Sequence, residues 1–133
     1  MSAENVEIAK RVIDAFNRRD VEGFFALAVP DFEWFPAMAG TAKGGGYRGR
    51  DGIEKYLVDI GEAWEEYRVS AQEFRDLDER VLMLGRIEGR GRGSRAWIES
   101  PTGTIFEFLG GKMSRLRTYL DHGEALRAAG LAK

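Results

Sequence analysis

The sequence of residues 78–120 reads DERVLMLGRIEGRGRGSRAWIESPTGTIFEFLGGKMSRLRTYL, and it carries one β-rich run after another. The runs are 81–84, 96–98, 105–108 and 113–120, separated at 78–79, 91–93 and 110–111. The separating residues are glycines and acidic residues of the kind that form hairpin turns. This stretch therefore predicts an antiparallel meander of three or four strands.

The chain before residue 68 has helical patterns instead. Apolar residues recur at helical spacing over 9–16, which predicts a first helix. Asp20 suits the N-cap of a short second helix. Asp51 and Glu54 have the spacing of a capping box, and an aromatic-rich stripe runs from there to Tyr67. Three N-terminal helices are expected.

Two shorter segments complete the pattern. The apolar run 32–35 predicts a first strand, and Asp121 with Glu124 repeats the capping-box spacing before a short C-terminal helix. Helices at one end of the sequence and strands at the other indicate an α+β fold, with the helices on one face of a mostly antiparallel sheet. A length of 133 residues suits one domain spanning 1–133.

The composition excludes several kinds of site. The chain has no cysteine and one histidine, His122, so thiolate sites and paired imidazoles are ruled out, and we expect no metal and no cofactor. A net charge of -2 provides no basic field for nucleic acid or anionic membranes. The N-terminus lacks the apolar core of a signal peptide, and no apolar run reaches the roughly 18 residues of a membrane span. We expect a cytoplasmic protein.

Several stretches spread over nearly the whole chain match a known family. They are 12–27, 31–34, 47–53 and, closest of all, GKMSRLRTYLD at 111–121 followed by 124–126 and 128–131. With them the chain resembles the SnoaL-like polyketide cyclase branch of the nuclear transport factor 2-like (ketosteroid isomerase-like) superfamily. The resemblance implies a cone-shaped domain, three N-terminal helices in the concave face of a curved sheet, and a pocket on that side.

The resemblance also implies a homodimer formed through the outer face of the sheet. Apolar residues assigned to that face support this expectation, because they are too apolar for free exposure. They are Ile98, Met113, Leu116, Thr118 and Leu120.

Strand alternation suggests a candidate active site on the last strand. Arg117, Tyr119 and Asp121 share one face of it. The resemblance places the acid–base aspartate of the cyclases at Asp121. The alternation makes Tyr119 a candidate beside it and Arg117 a ligand-binding candidate. Asp121 is equally well spaced to cap the last helix, so its role stays open.

Partners for Asp121 are missing. Phe35 stands where ketosteroid isomerases carry their base, and Phe16 stands near the place of their oxyanion tyrosine. The strand before the last has no histidine, and no aspartate lies between Asp78 and Asp121. The resemblance therefore favours neither steroid isomerase nor epoxide hydrolase chemistry.

Aromatic residues supply candidates for a ligand pocket. Trp34 and Trp97 are expected to line it, and Tyr47, within the glycine-rich loop 40–49, is expected to act as a lid. Tyr56 and Trp64 fit a helical stripe and are expected to fill the core.

Two functions remain open. One is a proton-transfer enzyme of the cyclase, isomerase or dehydratase type that acts on a small apolar molecule. The other is a non-catalytic domain of the same fold that binds a small ligand or assembles as a dimer.

Overall fold

The structure, a computed structural model, describes residues 2–36 and 46–131. Its helices are α1 (Ser2–Asn17), α2 (Val21–Phe25), α3 (Gly49–Ala63) and α4 (His122–Ala128). Its strands are β1 (Ala28–Phe35), β2 (Tyr47–Arg48), β3 (Trp64–Asp76), β4 (Arg80–Gly91), β5 (Ile98–Leu109) and β6 (Lys112–Tyr119). The predicted glycine-rich loop lies, up to residue 45, outside the described residues. No helix within the described ranges has the length and apolarity of a membrane span.

One curved sheet organises the domain, in the order β2-β1-β6-β5-β4-β3. Strands β3 to β6 form the predicted antiparallel meander, and β2 is antiparallel to β1. Only β1 and β6 pair in parallel among the described strands. The expected α+β fold with a mostly antiparallel sheet is confirmed.

Helices α1, α2 and α3 pack against the concave face of this sheet. The core between them buries side chains from every layer: Val12, Phe16, Phe24, Phe32, Ile53, Tyr56, Ile60, Met83, Phe106 and Leu116. Burying this much apolar surface is the main force that holds the helices on the sheet.

Helix α4 lies on the opposite face, where the sequence predicted no helix. Its Ala125 and Ala129 form a second buried cluster with Leu82, Leu84 and Ile105. In β4, Val81 and Met83 belong to the main core, whereas Leu82 and Leu84 belong to this second one. The run 81–84 is apolar without alternation because both faces of the strand are covered there.

The predicted third helix differs from α3 at both ends. Its apolar stripe was expected to run to Tyr67, but α3 ends at Ala63 and Tyr67 pairs with Gly89 in the sheet. The predicted capping box at Asp51 is wrong, since α3 begins at Gly49 behind Arg48, which makes no side-chain cap bond. Tertiary pairing with β4 overrides the helical stripe.

Two other local predictions had different outcomes. Asp20 is confirmed as the N-cap of α2, because its carboxylate accepts a hydrogen bond of 2.9 Å from the backbone of Gly23. The separate strand expected at 96–98 is not formed, since β5 begins only at Ile98.

Candidate functional site

A small cavity lies between α1, α3 and the concave face of the sheet. Its volume is about 40 Å³, which is room for a few water-sized groups. Aromatic and aliphatic side chains make most of the wall, and three threonines supply hydroxyl groups. The lining comprises Val12, Ile13, Phe16, Trp34, Pro36, Tyr56, Tyr67, Val69, Met83, Ile87, Thr102, Thr104, Phe106, Leu116 and Thr118.

Trp34 is the largest side chain in the wall and is held by its neighbours. Its ring stacks on Phe24 with an interplanar angle of 4° and a centroid distance of 5.7 Å. The rings of Tyr56 and Phe16 lie 4.9 Å and 5.3 Å from it. With Phe32 at 6.4 Å as well, contacts with four rings leave this indole little rotational freedom.

The indole Nε1 of Trp34 is buried, and no group among the described residues accepts its hydrogen bond. Leaving a buried donor unpaired costs about 1–3 kcal/mol. Such groups are rare in folded proteins, and each one calls for an explanation.

Two buried tyrosines lie next to each other in the wall. Burial raises the pKa of Tyr56 well above its usual value, and it also raises the pKa of Tyr67. The phenol of Tyr56 lies within hydrogen-bonding reach of Tyr67. Both phenols therefore stay protonated at neutral pH, and they can donate hydrogen bonds but cannot serve as bases.

Arg19 fixes the end of α1 against β3 beside these tyrosines. Its guanidinium donates hydrogen bonds of 2.7 Å to the carbonyl oxygens of Phe16 and Tyr67. The same group covers the Phe16 ring at 4.8 Å. Arg19 therefore holds in place two of the elements that form the cavity wall.

The three threonine hydroxyls have protein partners. Thr104 and Thr118 bond each other across β5 and β6 at 3.2 Å, and Thr102 donates to the carbonyl oxygen of Tyr119 at 3.1 Å. Sequence reasoning did not single out Thr102 or Thr104, and it assigned Thr118 to the outer face of the sheet. The signal was present, because each occupies an inward position of a strand where apolar residues are usual.

No carboxylate or imidazole is among the described residues that line the cavity. Within the described ranges, no three histidine, aspartate or glutamate side chains are grouped to hold a metal ion. The wall therefore offers hydrogen-bond donors and apolar surface, but no acid–base pair.

The last strand presents the opposite face from the one expected. Leu116 and Thr118 line the cavity, whereas Arg117 lies over the ring of Phe35 at 4.3 Å, away from it. Tyr119 packs with the cluster under α4. Alternation correctly groups the residues of β6, but it does not say which group faces inward.

Asp121 stands outside the cavity. It is exposed, and its Oδ1 accepts a hydrogen bond of 3.3 Å from the backbone of Gly123 at the start of α4. The structure thus brings neither Asp121 nor Tyr119 to the cavity wall.

Because the apolar face of β6 points into the core, it no longer supports a dimer formed through the outer face of the sheet. Met113 and Leu116 are buried in the main core, and Thr118 lines the cavity. Of the residues assigned to the outer face, Ile98 and Leu120 are exposed, at 45% and 37%. The homodimer itself stays a prediction.

The aromatic residues predicted to form the pocket lie in different parts of the structure. Trp34 lines the cavity, but Trp97 is 44% exposed ahead of β5. Tyr47 is buried in β2, and its hydroxyl donates a 2.8 Å hydrogen bond to Asp59. Burial and this bond raise the pKa of Tyr47 to about 12. Tyr47 is therefore part of the folded framework rather than a lid.

We predict that Asp121 acts as a helix cap. Asp121→Asn should leave the free energy of unfolding within about 0.5 kcal/mol of wild type, because asparagine caps as well as aspartate. Asp121→Ala should lose about 1 kcal/mol. Urea denaturation of the two variants measures this difference. Equal losses in both would show that the carboxylate charge, not the cap, is what stabilises the chain.

The chain matches the SnoaL-like domain over residues 9–116 and therefore belongs to that family. The expected family membership is confirmed. No curated protein matches the chain.

Solved structures share this fold. An NTF2-like protein of unknown function from Burkholderia pseudomallei K96243 is 24% identical, with a TM-score of 0.79 over 93% of this chain and 95% of its own. TerC, co-crystallised with polyporic acid, is 24% identical with a TM-score of 0.79 over 96% and 97%. A hypothetical protein with a ketosteroid isomerase-like fold from Catenulispora acidiphila DSM 44928, in complex with trimethylamine, is 18% identical with a TM-score of 0.74 over 94% and 93%.

Proposed function

We propose that this SnoaL-like domain binds a small, neutral, mostly apolar molecule in its interior cavity without acid–base catalysis there. The observation that carries this proposal is the wall itself. Apolar side chains surround a few hydroxyl and N–H groups, with no ionised carboxylate or imidazole among the described lining residues. Apolar walls with a few placed polar groups are usual for small-molecule sites.

The proton-transfer alternative has less support. It needs a base within hydrogen-bonding reach of the substrate. Asp121 is exposed at the start of α4, and the protonated phenols of Tyr56 and Tyr67 cannot take its place. Two small-molecule complexes of this fold, TerC with polyporic acid and the Catenulispora protein with trimethylamine, provide precedent for binding.

Binding of a small probe tests the proposal. Isobutene, which has four carbon atoms, is titrated into ¹⁵N-labelled protein, and saturable shifts are expected at residues of the cavity wall. Val12→Ile adds one methylene to that wall, at a position that is 2% exposed. The added methylene occupies cavity space and so displaces about one methylene of ligand contact. Because that contact is worth about 1 kcal/mol, the variant should weaken binding about fivefold.

Val58→Ile is the matched control. Val58 is 57% exposed, so the same added methylene lies in solvent and the affinity should equal that of wild type. Shifts that do not saturate, or equal affinities in Val12→Ile and wild type, would refute binding in this cavity.

A further inference from the structure

We infer that the ligand of this cavity is a small neutral carbonyl compound whose oxygen accepts a hydrogen bond from the indole N–H of Trp34. The inference rests on the proposed function and adds the chemical class of the ligand. An indole is a donor only, so an acceptor is the one kind of group that complements it.

Trp34 has the properties of a fixed anchor. Its side chain lines the cavity, is 7% exposed, and is clamped by Phe16, Phe24 and Tyr56. A donor held this firmly loses little entropy when a ligand binds it. The bond would form in an apolar surround, where hydrogen bonds are electrostatically stronger than in water.

The described wall does not supply the missing acceptor. The hydroxyls of Thr104 and Thr118 bond each other, Thr102 bonds a backbone carbonyl, and the Tyr56 phenol lies within hydrogen-bonding reach of Tyr67. None of these groups reaches Nε1 of Trp34. We assign the missing acceptor to the ligand.

The charge of the wall selects a neutral ligand. No charged side chain is among the described lining residues. A carboxylate or an ammonium group placed there would lose its hydration and meet no opposite charge among the described lining residues, which is costly. A carbonyl oxygen on a short apolar skeleton meets both requirements, because it accepts one hydrogen bond and carries no net charge.

The test compares two probes of the same shape. Acetone has a carbonyl oxygen where isobutene has a methylene group. Each is titrated into wild type, Trp34→Phe and Trp97→Phe, with affinities read from ¹⁵N–¹H spectra. Comparing one probe across proteins cancels the difference in hydration between the probes.

Trp34→Phe should weaken acetone binding about tenfold, the value of one hydrogen bond of about 1.4 kcal/mol, and leave isobutene within about twofold. Trp97→Phe, a change at an exposed tryptophan, should alter neither. In wild type, one of the three indole N–H signals, assigned to Trp34 by substitution, should move downfield with acetone only.

The outcomes separate this inference from the proposed function. If isobutene binds the cavity but Trp34→Phe weakens both probes equally, or the Trp34 indole signal stays fixed at saturating acetone, the inference is wrong and the binding cavity stands. If neither probe binds wild type at the cavity, both fall. The wild-type indole signal decides the matter even where Trp34→Phe does not fold.

Discussion

Gly85→Ala is expected to destabilise the domain by more than about 3 kcal/mol, at the upper end of what overpacking costs. Gly85 lies in β4 opposite Ala71 of β3, next to an irregularity in their pairing. A Cβ on Gly85 would overlap the carbonyl oxygen of Ser70 and come within 3.0 Å of the Cα of Ala71. Backbone atoms cannot rotate away, so the β3–β4 pairing itself would have to open.

Urea denaturation followed by circular dichroism measures the loss, and Gly61→Ala is the control. A Cβ on Gly61 meets nothing within 4 Å, and the residue lies in α3. Alanine there should stabilise the domain by up to about 1 kcal/mol, because it favours the helix. A Gly85→Ala protein as stable as wild type would contradict the close approach of the two strands.

Gly103→Ala is expected to displace α4 from the sheet at a cost of about 2 kcal/mol. Gly103 lies in β5, and a Cβ there would overlap the Cβ of Ala125 in α4. That methyl group is attached directly to the helix backbone, so relief requires movement of the helix. The displacement would expose Leu82 and Leu84, which α4 covers.

A second substitution tests whether the Ala125 methyl group causes this loss. Ala125→Gly removes the opposing methyl group and itself costs about 1 kcal/mol in helix propensity. In that background Gly103→Ala should cost less than about 0.5 kcal/mol, because residues in contact are not additive. The cycle is measured by urea denaturation, with hydrophobic dye binding as a probe of the uncovered face. If Gly103→Ala costs as much in the Ala125→Gly background as in wild type, the clash is not with Ala125.

Interactions between neighbouring residues allowed part of the fold to be predicted from the sequence. Asp20 and Asp121 cap α2 and α4 as their spacing predicted. The turn at 110–111 has two glycines with positive φ, a backbone region that favours glycine. These features depend on residues a few positions apart, so a single sequence contains the information that determines them.

The end of α3 could not be read in this way. Trp64 and Tyr67 continue the apolar spacing of the helix, yet they belong to β3 and contact each other there with ring centroids 5.2 Å apart. Trp64 is partly buried and Tyr67 is buried in the extended backbone of β3. The apolar spacing indicated that these side chains are buried. Only the pairing with β4 decided that their backbone is extended.

By itself the sequence determined the class of fold, the strand meander and two of the three predicted caps, because each follows from local periodicity or from residues near one another in the chain. The family followed from stretches of sequence that resemble a known one. The tertiary structure alone decided which face of β6 points inward and that α4 covers the far side of β4 and β5. It also assembled the cavity, since Phe16, Trp34, Tyr67 and Thr104 come from four separate elements. Alternation fixes only which residues share a face of a strand, and the choice of the buried face depends on contacts between distant segments.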